Sequence, residues 1–182
     1  MISDFVKGKK KFEYPLPIRK GIALHRNIDR FTDEHTATYE AKQVFRPVYR
    51  LYSGAFVDVV YDHFLAADPS EFTESSLLDF SKFVYAQLEG QAQWFPERFA
   101  FMFPYMKAQN WLYNYRTTLG AEKSLAGVVR RSVYLSDSQP AFQLFQEHYQ
   151  RLGDCYRHFW KDLKKFAFDS FEQLQHDPDP GR

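Results

Sequence analysis

Residues 55–67 read Ala-Phe-Val-Asp-Val-Val-Tyr-Asp-His-Phe-Leu-Ala-Ala. On a helix these apolar side chains surround almost the whole circumference, which is typical of a helix buried at the centre of a fold. Asp58 and Asp62 stand one turn apart in this stretch. Two buried carboxylates repel each other and lose hydration, so their burial requires a cation, a proton or paired donors. A divalent metal ion meets that requirement directly, and a nearby arginine meets it structurally.

The rest of the chain repeats the helical spacing of apolar residues. Leu24, Ile28 and Phe31 form one apolar stripe, and a longer pattern follows Pro140. Period-two alternation never extends beyond five residues, so the sequence predicts an all-α, single-domain helical bundle of roughly seven to eight helices. We expect this domain to cover residues 1–175 and residues 176–182 to form a frayed tail.

Prolines and glycines suggest where the helices stop. Pro15 and Pro17 disfavour helix in the residues before them, so the first fifteen or so residues are expected to be extended. Gly120 is expected to end a helix, and Gly153 is a candidate kink in the last one.

Composition narrows the class of protein. The chain has 182 residues, of which 45% are hydrophobic and 19% aromatic, so it can fill the core of one domain. A net charge of +1 argues against a nucleic-acid partner. The single cysteine, Cys155, suits a reducing compartment, and no apolar stretch is long enough to span a membrane. A cytoplasmic protein is expected.

The charge is unevenly distributed along the chain. Residues 1–30 hold eight lysines and arginines against three acidic residues, and they include the run Lys9-Lys10-Lys11. Such a basic end could receive an acidic partner, although an ordinary solvated cluster explains it equally well.

His25, Asp29 and Asp33 follow one another at intervals of four residues. On a helix they lie on one side over about 12 Å, so one ion could bind His25 with Asp29, or Asp29 with Asp33, but hardly all three. A solvated polar face is the alternative interpretation. Arg26 and Arg30 stand beside this motif and could hold a phosphate group, or could simply pair with a neighbouring aspartate.

The two motifs together are typical of metal sites in helical bundles, where carboxylates and imidazoles project from facing helices. A mixed ligand set of this kind suits Mn²⁺, Fe²⁺ or Zn²⁺ better than Ca²⁺. Such an ion acidifies a bound water and polarises a phosphoryl oxygen, which is the chemistry of phosphodiester hydrolysis. The sequence has no glycine-rich phosphate loop, no Gly-x-Ser-x-Gly motif and no Cys/His zinc spacing.

Three segments resemble the acyl carrier protein phosphodiesterase family. They are Asp-Phe-Val-Lys-Gly at residues 4–8, Gly-Ile-Ala-Leu-His-Arg-Asn-Ile-Asp-Arg-Phe-Thr-Asp at residues 21–33, and Val-Asp-Val-Val-Tyr-Asp-His-Phe-Leu at residues 57–65. Weaker similarities include Trp111-Leu112 and Arg130-Arg131. The similarity extends from the first residue to about Lys165.

The resemblance implies an all-helical fold similar to the HD-type metal phosphohydrolases. It implies hydrolysis of the phosphodiester that joins 4′-phosphopantetheine to a serine of acyl carrier protein, with Mn²⁺ as the usual cofactor. The implied metal ligands are Asp4, His25, Asp29, Asp62 and His63. Asp33 and Asp58 would support these ligands or act as acid–base groups. Because carrier proteins are acidic, Lys9, Lys10 and Lys11 would help to bind the substrate.

One departure from the family concerns its beginning. Members usually carry an extra N-terminal segment containing Asn-Phe-Leu-Ala-His, whereas Met1-Ile2-Ser3 stands where that segment should end. The histidine of that segment is a plausible ligand, so either Met1 is an internal methionine or the metal site is incomplete. Two other functions are compatible with the sequence: a metal phosphohydrolase acting on nucleotides or small phosphodiesters, and a non-catalytic protein that binds acidic carriers.

Overall fold

A computed structural model describes residues 2–177 of the chain. Nine α-helices follow one another in these residues: α1 Leu16–Glu34, α2 Thr36–Tyr49, α3 Ser53–Ala67, α4 Glu74–Glu89, α5 Glu97–Ala108, α6 Trp111–Asn114, α7 Thr118–Arg131, α8 Gln139–Glu147 and α9 Tyr149–His176. The all-α prediction is confirmed, since residues 2–177 contain no strand. The nine helices of residues 2–177 exceed the expected seven to eight, because α6 is a short separate helix and α8 is separated from α9. The finer likeness to HD-type folds stays a prediction.

Helix α3 lies at the centre of the larger core. Phe56, Val57 and Val60 are fully buried, and they pack among side chains of α2, α7, α8 and α9. The apolar side chains around most of the circumference of α3 predicted this central position. A helix with few polar side chains must be covered by other elements on most of its sides. Helix α2 ends before Arg50, whose φ is 47°, and the 3₁₀ helix Arg50–Tyr52 leads directly into α3.

A second, smaller core joins the N-terminal residues to α4 and α5. Tyr85, Phe99, Phe103 and Met106 form its buried centre, and the Phe5 ring lies 5.8 Å from the Phe99 ring. Burial of an aromatic ring contributes about 2 kcal/mol or more, so this contact fixes the start of the described chain against the bundle.

Two expectations about the helix ends are wrong. Residues 2–15 are not extended throughout, because Ser3–Phe5 and Gly8–Glu13 form 3₁₀ helices. Gly120 does not end a helix but lies in the first turn of α7, where its amide donates to the Thr117 hydroxyl. Gly153 lies within the continuous α9 next to the Phe64 ring, and the kink expected there stays a prediction.

The expected tail overlaps the described residues only in part. His176 still belongs to α9, whereas residues 178–182 lie outside the described part of the chain. Among the described helices, none is both long enough and apolar enough to cross a membrane.

Candidate metal-binding cleft

A cleft of about 390 Å³ lies between α1, α3 and α9. Its polar lining brings together five of the predicted site residues: Asp4, His25, Asp29, Asp58 and Asp62. Its apolar lining comes mainly from Ile28 and Leu65 and from the aromatic residues of α9. The two motifs that lie far apart in the sequence therefore face the same space.

Asp4, His25 and Asp29 form the closest group of metal-ligand atoms among the described residues. One ligand atom of each lies within 4.8 Å of the others. His25 Nδ1 lies 2.9 Å from Asp29 Oδ2, and His25 Nε2 lies 3.7 Å from Asp4 Oδ1. The spacing of four residues along α1 explains the first contact, since it places His25 and Asp29 on one side of the helix.

The position of Asp4 depends on contacts outside the cleft. Asp4 belongs to the first 3₁₀ helix, whose neighbour Phe5 is held against Phe99. Two residues further on, the Val6 carbonyl accepts a hydrogen bond of 2.7 Å from Arg26 Nη2. Arg26 was predicted to hold a phosphate or to pair with a neighbouring aspartate. One of its guanidinium nitrogens instead binds the backbone of the N-terminal segment, two residues beyond Asp4, and its binding of phosphate stays a prediction.

Asp58 and Asp62 lie side by side in the cleft, as their spacing predicts, but the expectation that they are buried is wrong. Both residues are exposed, because the part of α3 that carries them opens into the cleft. The cleft walls still remove part of their hydration. This desolvation raises the pKa of Asp58 to about 6, and the negative charge of Asp33 adds to the rise. Desolvation and the charge of Asp58 raise the pKa of Asp62 to about 7.

His63 does not join the cleft. Its side chain is only 1% exposed, and it lies in the core against Phe145. Its Nδ1 lies 2.8 Å from the Tyr115 carbonyl oxygen and its Nε2 lies 2.9 Å from the Tyr149 hydroxyl. Desolvation lowers the pKa of this histidine. The assignment of His63 as a metal ligand is therefore corrected: both ring nitrogens already have partners on the side of α3 that faces the core.

The remaining predicted residues lie outside the cleft lining. Asp33 is exposed, and its Oδ1 lies 2.8 Å from Lys42 Nζ. Asp33 is in the last turn of α1, where its side chain reaches Lys42 on α2. Arg30 is exposed on α1, and it does not line the cleft. The run Lys9-Lys10-Lys11 lies in the second 3₁₀ helix, and it does not line the cleft either.

Helix α9 contributes cleft residues that the sequence motifs did not indicate. Tyr156 and Trp160 line the cleft one turn apart, together with Phe159. In the sequence these residues belong to an aromatic stripe and are indistinguishable from core residues. The only available signal is the polar interruption of that stripe by Arg157 and Lys161, which marks the edge of the buried face.

The donor set fits a divalent ion of the Mn²⁺, Fe²⁺ or Zn²⁺ type. It combines one imidazole with two carboxylates, and a third and fourth carboxylate line the same cleft. His25 Nδ1 lies 2.9 Å from Asp29 Oδ2, and this contact orients the imidazole when no ion is bound.

Comparison with known proteins identifies the class and then the family. A family model described as "Acyl carrier protein phosphodiesterase" matches residues 1–163. Relatives with this name include proteins of Photorhabdus laumondii, 30% identical over 92% of this chain and 85% of the relative, and of Yersinia pestis, 30% identical over 92% of this chain and 87% of the relative. A Klebsiella pneumoniae relative is also 30% identical over 92% of this chain and 87% of its own length.

The chain is thus an all-helical hydrolase of the phosphodiesterase class. Within that class it belongs to the acyl carrier protein phosphodiesterase family. The resemblance seen in the three sequence segments is confirmed. The comparison with solved structures finds no match.

Proposed function

We propose that this protein is a metal-dependent phosphodiesterase that releases 4′-phosphopantetheine from holo acyl carrier protein and leaves the carrier serine free. The observation that carries the proposal is the convergence of Asp4, His25 and Asp29 in an open cleft of a chain that belongs to this family. The relatives are named for acyl carrier protein, which supports it as the substrate.

Asp4, His25 and Asp29 would hold the metal ion, which we expect to be Mn²⁺. When bound, such an ion activates a water and neutralises charge on a phosphoryl oxygen. The chain's own contribution is to keep the ligands in place. Arg26 anchors the segment that carries Asp4, and the contact between His25 and Asp29 fixes the orientation of the imidazole.

Asp58 and Asp62 are the acid–base candidates in the cleft. Their carboxyl groups reach solvent in the same space as the metal-binding residues, so a phosphodiester bound there would lie within their reach. One carboxylate can accept the proton of the attacking water, and a protonated neighbour can donate to the departing serine oxygen. Asp62 can instead complete the metal ligands, as the resemblance implies.

The substrate protein would approach a surface rich in cations. Lys9, Lys10 and Lys11 are on the second 3₁₀ helix, which follows directly after the segment that carries Asp4. Because an acidic carrier protein is attracted by positive charge, these lysines would raise its rate of association rather than act on the phosphodiester.

The test is the release of phosphopantetheine from purified holo carrier protein, followed by mass spectrometry of both products. We expect release with Mn²⁺ and none with excess chelator. Asp29→Asn and His25→Ala should reduce the rate by at least about a hundredfold. Glu34→Gln is the matched control, since Glu34 is an exposed acidic residue on the same helix and does not line the cleft.

Melting in the presence of Mn²⁺ gives an independent measurement. A bound ion stabilises the folded protein by mass action, so Mn²⁺ should raise the Tm of the wild type and of Glu34→Gln but not of Asp29→Asn. No release by the wild-type protein with Mn²⁺ would overturn the proposed reaction. An unchanged Tm would overturn the metal assignment.

A further inference from the structure

A second cavity, of about 800 Å³, lies between α7 and the turn that joins α5 to α6. It borders α3 at Val59, whereas the candidate metal-binding cleft borders α3 at Asp58 and Asp62. Its size is within the range of small-molecule binding sites.

Three cations line this cavity: Lys123, Arg130 and Arg131. None of them forms an ion pair with a carboxylate within residues 2–177. The two arginines lie side by side over Gly127, since a methyl group on Gly127 would lie 3.3 Å from Arg131 Nη1 and 3.7 Å from Arg130 Nη2. Adjacent guanidinium groups repel each other, and an oxyanion between them removes that repulsion.

We propose that this cavity binds a phosphate group, either as a phosphate ester or as free inorganic phosphate, through Lys123, Arg130 and Arg131. Guanidinium groups donate two parallel hydrogen bonds to phosphate oxygens, and a lysine adds a mobile point charge. Ser124 and Asn114 supply further polar groups in the lining.

The rest of the lining suits the organic part of an ester. Trp111, Val59 and Ala108 give the cavity an apolar side. Gln109 Oε1 accepts from Trp111 Nε1, and Asn114 Nδ2 donates to the Gln109 carbonyl. Gln109 Nε2 and Asn114 Oδ1 can still pair with amide groups of a ligand. A ligand with a phosphate at one end and an amide-bearing chain at the other matches this division between charged and apolar walls.

Tyr115 lines the cavity, and burial together with the negative charge of Asp62 raises the pKa of its phenol, while a hydrogen bond with Ser124 and the charge of Arg131 oppose that rise. The cavity and the candidate metal-binding cleft share no lining residue, so a phosphate held by the arginines would not occupy the cleft.

Binding is measured with metal-free protein in excess chelator and a phosphate-free buffer, so its outcome does not depend on the proposed reaction. The three probes are inorganic phosphate, pantetheine 4′-phosphate and pantetheine, each titrated by calorimetry. We expect pantetheine 4′-phosphate to bind at least about tenfold more tightly than pantetheine. If pantetheine 4′-phosphate binds more tightly than inorganic phosphate, the natural ligand of the cavity is a phosphate ester. If the two affinities are equal, the natural ligand is free phosphate.

Arg130→Gln and Arg131→Gln should each weaken the binding of the phosphate probes by about tenfold. Arg98→Gln is the matched control, because Arg98 is an exposed arginine at the far end of α5. Lys123→Gln changes an exposed side chain and provides a second test if an arginine variant fails to fold. Equal binding of pantetheine and its phosphate, or unchanged phosphate binding by all three folded variants, would overturn the proposal.

Discussion

The guanidinium group of Arg26 donates a hydrogen bond of 2.7 Å to the backbone carbonyl of Val6. This bond joins the N-terminal segment to α1 at the point where Asp4 approaches His25. Hydrogen bonds from charged donors contribute about 1.5–3 kcal/mol, so the loss of this one is large enough to release the segment. The Arg26 side chain therefore helps to hold Asp4 beside His25 in the candidate metal-binding cleft.

The first prediction is that Arg26→Ala weakens Mn²⁺ binding by about tenfold, because Asp4 loses its fixed position. Arg26→Lys keeps one donor and should recover part of the affinity. Calorimetric titration with Mn²⁺ measures both, and Arg30→Ala is the control on the exposed side of the same helix. Wild-type Mn²⁺ affinity in Arg26→Ala, together with a lost affinity for phosphate esters, would restore the original assignment of Arg26 to the substrate.

The second prediction concerns His63, which has two hydrogen-bond partners and almost no exposure. His63→Leu leaves the Tyr115 carbonyl and the Tyr149 hydroxyl without partners and should lower the free energy of unfolding by about 2–4 kcal/mol. His63→Gln retains polar groups and should lower it less.

Mn²⁺ affinity distinguishes a structural His63 from a metal-binding one. Urea denaturation gives the stability of both variants, and calorimetry gives their affinity for Mn²⁺ at a temperature where they are folded. We expect that affinity to match the wild type. A folded His63→Gln protein that fails to bind Mn²⁺ would show that His63 is a ligand after all.

The contrast between Asp62 and His63 shows where sequence reasoning reached its limit. Both residues stand in one motif and next to each other, but 100° of helical rotation separates them. The apolar side chains around α3 correctly predicted that this helix lies at the centre of the core. It could not predict which part of the helix is left uncovered, because that depends on where α1 and α9 pack. The position of Asp4 was likewise unpredictable from periodicity, since it depends on contacts made by Phe5 and Arg26.

The third prediction separates two aspartates that the sequence treated alike. Asp58 lines the cleft, whereas Asp33 pairs with Lys42 outside it. If the proposed reaction is correct, Asp58→Asn should slow the release of phosphopantetheine by about a hundredfold or more, because a general acid–base group contributes that much. Asp33→Asn should change the rate by less than about threefold, since an exposed ion pair is worth little. Equal losses in both variants, measured under single-turnover conditions, would contradict the separate positions of these residues.

The fourth prediction compares two glycines. A methyl group on Gly120 would lie 1.9 Å from the Asn114 carbonyl oxygen, whereas one on Gly21 would meet nothing within 4 Å. Gly120→Ala must displace backbone and should lower the free energy of unfolding by about 3 kcal/mol. Gly21→Ala lies within α1 and should raise it by about 0.5–1 kcal/mol through helix propensity. Denaturant midpoints of the two variants should therefore move in opposite directions, and a shift in the same direction would contradict the packing at Gly120.

The fifth prediction concerns the pH dependence of the junction between α3 and α9. Asp68 accepts hydrogen bonds from the amide and hydroxyl of Ser70 and from the Tyr156 hydroxyl. Desolvation alone would raise the pKa of Asp68, but the hydrogen bonds from Ser70 and Tyr156 outweigh it and lower the pKa below 3.8. The unfolded chain therefore binds this proton at a higher pH than the folded protein. Asp68 stabilises the fold fully above its unfolded pKa, and this stabilisation is lost as the pH falls through the folded pKa.

Asp68→Asn should accordingly reduce stability at neutral pH and have a smaller effect in strong acid, where the carboxyl of the wild type is protonated and resembles an amide. Urea midpoints at about pH 7 and about pH 2 measure the difference. Asp79→Asn is the control, because Asp79 is exposed on α4 and its carboxylate forms no ion pair within the described residues. An effect of Asp68→Asn that is as large in acid as at neutral pH would mean that the carboxylate charge at this junction contributes no stability, and that only the geometry of its hydrogen bonds does.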